Sequence, residues 1–131
     1  MQGITVAIAE RAAEQPGAVA LVGGTRVWTR GELWERVQRT AGLLGAAGFG
    51  PGQRVGLLGG HGRDYVVHAL ALLDLGAVIV PLQAGASADR CAQVAQQLDV
   101  VGWVGKVGSV PALEQGILRS EEDLAWWRPE R

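Results

Sequence analysis

Four side chains in this sequence have the chemistry for proton transfer or nucleophilic attack: His61, Tyr65, His68 and Cys91. Imidazole titrates near neutrality, a thiolate attacks electrophiles, and a phenol can donate or accept a proton. His68 lies three residues after Tyr65 and seven after His61, on a helix that reads as buried, with no Cys or carboxylate cluster at metal-ligand spacing. A satisfied structural histidine is the expectation for His68, and a cap or turn contact for His61. Cys91 is the only cysteine, which excludes an internal disulfide and a zinc-binding Cys cluster. No Cys–His pairing follows from the sequence, so burial is its default reading. The catalytic set is unknown, with these four residues as its candidates.

Other patterns point to structure. Gly56, Gly59, Gly60 and Gly62 lie between a strand and a helix start, where backbone N–H groups can hold an anion. A dinucleotide fingerprint from Gly60 would need glycine at Tyr65, so a tight turn is the reading taken. Gly105-Lys106 fails as a phosphate loop, because Val100 and Val107 stand where Gly and Ser/Thr are required. Glu121-Glu122-Asp123 reads as a solvated helix start. Trp126-Trp127 cannot easily share one buried face, and is assigned as a candidate interface.

The elements that must position these residues alternate along the chain. Apolar spacing predicts a first helix from Ile4 to Glu14, stopped by Pro16-Gly17. A hairpin follows, with its turn at Gly23-Gly24. Thr29-Arg30-Gly31-Glu32 matches a capping box, and Leu33, Val37, Ala41 and Leu44 then make one apolar stripe that Gly48 ends. Strands are predicted at 54–58, 77–81 and 99–104, with helices at 63–75 and 87–98 between them. Strand-helix-strand repetition of this kind gives a three-layer α/β fold, a mostly parallel sheet flanked by helices, with the β-hairpin at its N-terminus. Residues 1–104 carry this pattern. Residues 105–131 are expected to be loop and C-terminal tail of the same domain, with a short helix around Glu114 to Leu118.

Composition narrows the function classes. A formal charge of −1, with both signs interspersed, gives no basic stripe for nucleic acid. No apolar run reaches the roughly 18 residues of a membrane helix, and Met1 to Thr5 lacks a basic leader. The expectation is a cytoplasmic protein with neither nucleic-acid nor membrane partner. Lys106 is the single lysine among twelve basic residues, which leaves little for point-charge contacts to phosphate.

Several segments in order resemble the N-terminal subdomain of the adenylate-forming ligases, which include acyl-CoA synthetases, acyl-AMP ligases and peptide-synthetase adenylation domains. They are Ala20-Leu21-Val22, Trp28 to Leu33, Gly50-Pro51-Gly52-Gln53-Arg54-Val55-Gly56-Leu57, and Gly76-Ala77-Val78-Ile79-Val80-Pro81-Leu82-Gln83. Asp123-Leu124-Ala125-Trp126-Trp127 is similar to the run that leads into that family's Ser/Thr-Gly-rich phosphate loop. Here Arg128-Pro129-Glu130-Arg131 follows instead. The resemblance implies that ATP, Mg²⁺ and acyl contacts, and a catalytic lysine, lie in segments beyond those matched.

The expectation is therefore a truncated AMP-dependent synthetase/ligase-like protein, unable to adenylate a carboxylate alone and holding no cofactor or metal. It would act as a binding or assembly module, or as part of a larger ligase. Its exposed apolar face would be covered by a second copy or by a protein partner. The alternative is a small enzyme repurposed from this fold for a non-adenylating reaction.

Overall fold

A computed structural model describes residues 2–23, 26–59 and 62–130. Helix α1 spans Gln2–Glu14, and the hairpin is β1 (Val19–Gly23) with β2 (Arg26–Thr29). Then come α2 (Arg30–Ala46), β3 (Arg54–Leu58), α3 (Arg63–Asp74), β4 (Val78–Leu82), α4 (Ala88–Leu98) and β5 (Val100–Lys106). The chain finishes with β6 (Gly116–Glu121) and β7 (Leu124–Pro129). Of the expected turn residues, Gly23 ends β1 and Gly24 lies outside the described residues.

The start of α2 follows the chemistry read from its sequence. Thr29 Oγ1 accepts from the Glu32 N–H at 3.2 Å, and the Glu32 carboxylate accepts from the Thr29 N–H at 3.0 Å. Leu33, Val37, Ala41 and Leu44 are the buried residues of α2, the stripe that the spacing predicted. Helices α2 and α3 end on the same device. Gly48 N–H donates to Gly45 O and Phe49 N–H to Leu44 O; Gly76 N–H donates to Leu73 O and Ala77 N–H to Leu72 O. This reverse-turn cap needs a left-handed residue, which Gly48 (φ 102°) and Gly76 (φ 77°) supply without the penalty a Cβ would bring.

Five strands form one sheet in the order β4-β3-β5-β7-β6. β3 is parallel to β4 and β5, whereas β7 is antiparallel to both β5 and β6. A parallel α/β core is thus extended on one side by an antiparallel hairpin. The segment expected as loop and tail is this hairpin. Gly116–Glu121 is a strand where a short helix was expected, and Glu121-Glu122-Asp123 does not open a helix. Glu121 pairs with Leu124, and Glu122, at φ 54°, helps to reverse the chain. The local acidity that suggests a helix start also suits a solvated two-residue turn, and the pairing of β7 with β5 decides between them.

Helices α2 and α3 cover one face of the sheet with a core that includes Leu44, Val55, Leu57, Leu72, Val104, Leu124 and Trp126. On the other face, α4 sends down Cys91 and Val94 onto Leu58, Trp103, Ala125 and Trp127. Alternation along β7 therefore sorts the adjacent tryptophans: Trp126 goes to the α2/α3 side, Trp127 to the α4 side, and both are buried. Their role is internal packing, which removes them as an exposed interface pair.

Aromatic rings fill the space above glycines in neighbouring strands. A Cβ on Gly56 would lie 2.1 Å from the Trp103 ring, one on Gly116 2.0 Å from the Trp127 ring, and one on Gly102 2.6 Å from Phe49. These contacts are far inside van der Waals distance, and a buried ring such as Trp103 has no room to withdraw.

Two stability predictions follow from these contacts. Thr29→Ala should lower the unfolding free energy by about 1 kcal/mol in urea titration through loss of the cap. Gly56→Ala should cost at least about 1–3 kcal/mol by overpacking, and Trp103→Leu in the same chain should recover part of that loss in a double-mutant cycle.

Candidate functional site

The sequence candidates do not meet. Cys91 is fully buried in the α4 core, and burial pushes its thiol pKa up, away from the reactive thiolate. His68 lies on α3, on the opposite side of the sheet, so the two make no nucleophile–base pair. Tyr65 is half-buried against the α2/α3 core, its ring lying over Gly59 at the end of β3. His61 and Gly60 lie outside the described residues. Gly62 caps α3 at φ 93° with no side-chain hydrogen bond, as expected for a tight turn. Among the described residues, no group of three or more His, Cys, Asp or Glu side chains could hold a metal ion.

The structure instead brings polar groups together in a cleft of about 350 Å³ between α2, α3 and the β6–β7 turn. Trp28, Leu43, Val67 and Leu124 give it an apolar lining, and His68 lines it too. Around them stand the carboxylates of Glu32, Glu35, Asp64, Glu121, Glu122 and Asp123, with Arg36 and Arg39 as the cations. Both cations are engaged. Arg39 pairs with Glu122, tying α2 to the turn, and Arg36 stacks over the Trp28 ring at 4.4 Å, where Arg63 also lies at 4.5 Å.

His68 is only 5% exposed. Asp64, one helical turn earlier on α3, and Asp123, in the β6–β7 turn, are the charges that act on it. Sequence reading marked His68 but not this cleft, because its walls come from segments almost a hundred residues apart and the acids of the turn were read as a helix start. The signal was His68 itself, a histidine on a face otherwise apolar.

Comparison with known proteins decides the family. The family model described as "AMP-binding enzyme" matches residues 8–124, which run from α1 to the first residue of β7. This chain belongs to the AMP-binding enzyme family. Phenyloxazoline synthase MbtB of Mycobacterium sp. (strain MCS) is 40% identical over 89 residues, covering 68% of this chain and 8% of that protein. Pyochelin synthetase PchE of Pseudomonas aeruginosa is 44% identical over 72 residues, covering 55% of this chain and 5% of its own length. The chain thus spans a small fraction of the curated relatives it matches.

Among solved structures, the Klebsiella oxytoca NpsA N-terminal subdomain superposes with a TM-score of 0.68 at 25% identity, covering 80% of this chain and 28% of that one. IdnL1 shares the fold, with a TM-score of 0.76 at 23% identity over 95% of this chain and 26% of its own. The α/β fold of this AMP-binding family member is therefore that of an adenylation-type N-terminal subdomain. No described helix is long and apolar enough to cross a membrane.

The burial of His68 carries a pH prediction for this family member. Desolvation holds its imidazole below the ordinary 6.5, while Asp64 and Asp123 act in the opposite direction. The unfolded chain therefore takes up this proton at a higher pH than the folded chain does. Stability present above the unfolded value is lost as pH falls toward the folded value. Urea unfolding at roughly pH 7.5 and roughly pH 5.5 should show the wild type losing more stability on acidification than His68→Gln. Equal losses would mean that His68 does not contribute.

Proposed function

We propose that this chain is the leading α/β subdomain of an adenylate-forming ligase of the peptide-synthetase kind, and that these 131 residues do not adenylate a carboxylate by themselves. The observation that carries the reading is the family match over residues 8–124 onto a fold shared with an NpsA N-terminal subdomain. The names of the relatives, a phenyloxazoline synthase and a pyochelin synthetase, support a place in biosynthesis. Adenylation needs backbone donors, cations and metal ligands converging on the triphosphate. The groups that converge in the described residues are mostly carboxylates, and the arginines beside them are already engaged.

The role left to the chain is structural. It presents a sheet and two helices on which further segments or partners assemble. Ile117 and Leu118, exposed on edge strand β6, support that assembly role, with a protein partner or a second copy as the covering surface. The separation of His68 from Cys91 gives a repurposed-enzyme reading no support.

ATP–pyrophosphate exchange on the purified chain, with a panel of aryl and amino acids, tests the reading. No exchange above the protein-free background is expected. Robust exchange would overturn the proposal.

A further inference from the structure

Helix α1 carries its large apolar residues on the wrong side for a helix that only covers the body. Its buried residues among those described are small, Thr5 and Ala12, whereas Ile4 and Val6 are 49% and 52% exposed. A surface helix ordinarily turns its large apolar side chains inward and its polar ones outward. Here the large ones are left to water, at a cost that contact with another surface would remove.

Ile4 borders a groove of about 270 Å³ between α1, β1 and the first turn of α2. Ile4, Ala7, Ile8 and Arg11 form its α1 wall, at the i, i+3, i+4, i+7 spacing of one helix face over two turns. Ala20 and Leu33 make the other wall apolar, and Arg30 stands beside them. Every Asp and Glu of the chain is among the described residues, and none lines this groove. Arg30 donates to the neutral Gln15 Oε1 at 3.3 Å, and neither Arg30 nor Arg11 has an ion pair among the described residues. The groove is therefore aliphatic inside and cationic at its edge. Its complement is a surface that is apolar along one stripe and acidic beside it.

We propose that this groove docks an acidic amphipathic helix of a partner protein. An aliphatic side chain of that helix enters between Ile4, Ile8 and Leu33, and its flanking carboxylates pair with Arg11 and Arg30. A two-turn wall suits a helix, whose own apolar residues recur at the same spacing. The proposal rests on the assembly role above and gives the partner its chemistry. It does not depend on whether the chain adenylates a carboxylate.

The test is a fluorescence-anisotropy titration of the purified chain with a labelled, lactam-stapled peptide of about four helical turns, with Leu at i, i+3, i+4 and i+7 and Glu on both flanks. The staple removes helix formation from the comparison. Saturable binding is expected, weakened about tenfold when Gln replaces the Glu residues and abolished when Lys replaces them. Arg11→Gln and Arg30→Gln should each weaken the Glu peptide about twofold to fivefold, the range of exposed ion pairs, and should leave the Gln peptide unaffected. Ile4→Ser should weaken both peptides about tenfold. These three positions are exposed or half-buried, so melting curves should stay wild type. Val107→Ser, at a position 48% exposed and outside the groove, should leave the affinity unchanged.

Absence of saturable binding would overturn the proposal, and so would equal binding of the Lys peptide. A wild-type chain that dimerises in sedimentation, with the dimer lost in Ile4→Ser, would assign the groove to a second copy and overturn it as well. Binding that survives Ile4→Ser but is lost in Leu118→Ser would move docking to β6, overturning this groove while keeping the assembly role.

Discussion

The sheet depends on aromatic rings that occupy the space a Cβ would take on an adjacent strand. Trp103 lies over Gly56, Trp127 over Gly116, and Phe49 over Gly102. The first two occur on the face that α4 covers together with Val110 and Leu113 of the segment after β5, so one eleven-residue helix shields much of the sheet there. Rings laid flat across glycines widen that cover and tie β5 to β3 and β7 to β6. Trp103 is fully buried although its Nε1 has no hydrogen-bond partner among the described residues. An unmade hydrogen bond costs about 1–3 kcal/mol, whereas burying 150–250 Å² of ring returns about 4–6 kcal/mol, so packing decides its position.

Much of this fold was legible where local chemistry and tertiary packing agree. The Thr29–Glu32 capping box, the Leu33-Val37-Ala41-Leu44 stripe and the glycines after α2 and α3 each act within a few residues of themselves. The parallel core was legible for a related reason, since β3 and β5 are apolar runs separated by helical spacing. The β6–β7 hairpin was not. Ile117 and Leu118 are exposed, so β6 has no alternation to read, and the acids that close the turn resemble a helix start.

The cleft was still less legible, because no single segment contains it. Trp28 closes the hairpin, Arg36 and Arg39 come from α2, Asp64 and His68 from α3, and Asp123 from the last turn. Each residue has an ordinary local explanation as cap, surface charge or core histidine. Their convergence is a property of the sheet order, which places β7 beside β5 and so carries the acidic turn toward α2 and α3. The candidates chosen from the sequence by reactivity, Tyr65, His68 and Cys91, were divided by that same sheet.

The two ends of the sheet are unequal. β4 carries Pro81 in register with Leu57, and a ring nitrogen has no proton to give, so the outer rim of β4 is interrupted as a template. β6 has no proline between Gly116 and Glu121, and its outer rim keeps its backbone donors and acceptors. The two rims are therefore unequal as templates: one donor is missing beside β4 and none within β6. The β6 rim is the better template for an added strand, on the antiparallel half of the fold rather than the parallel one.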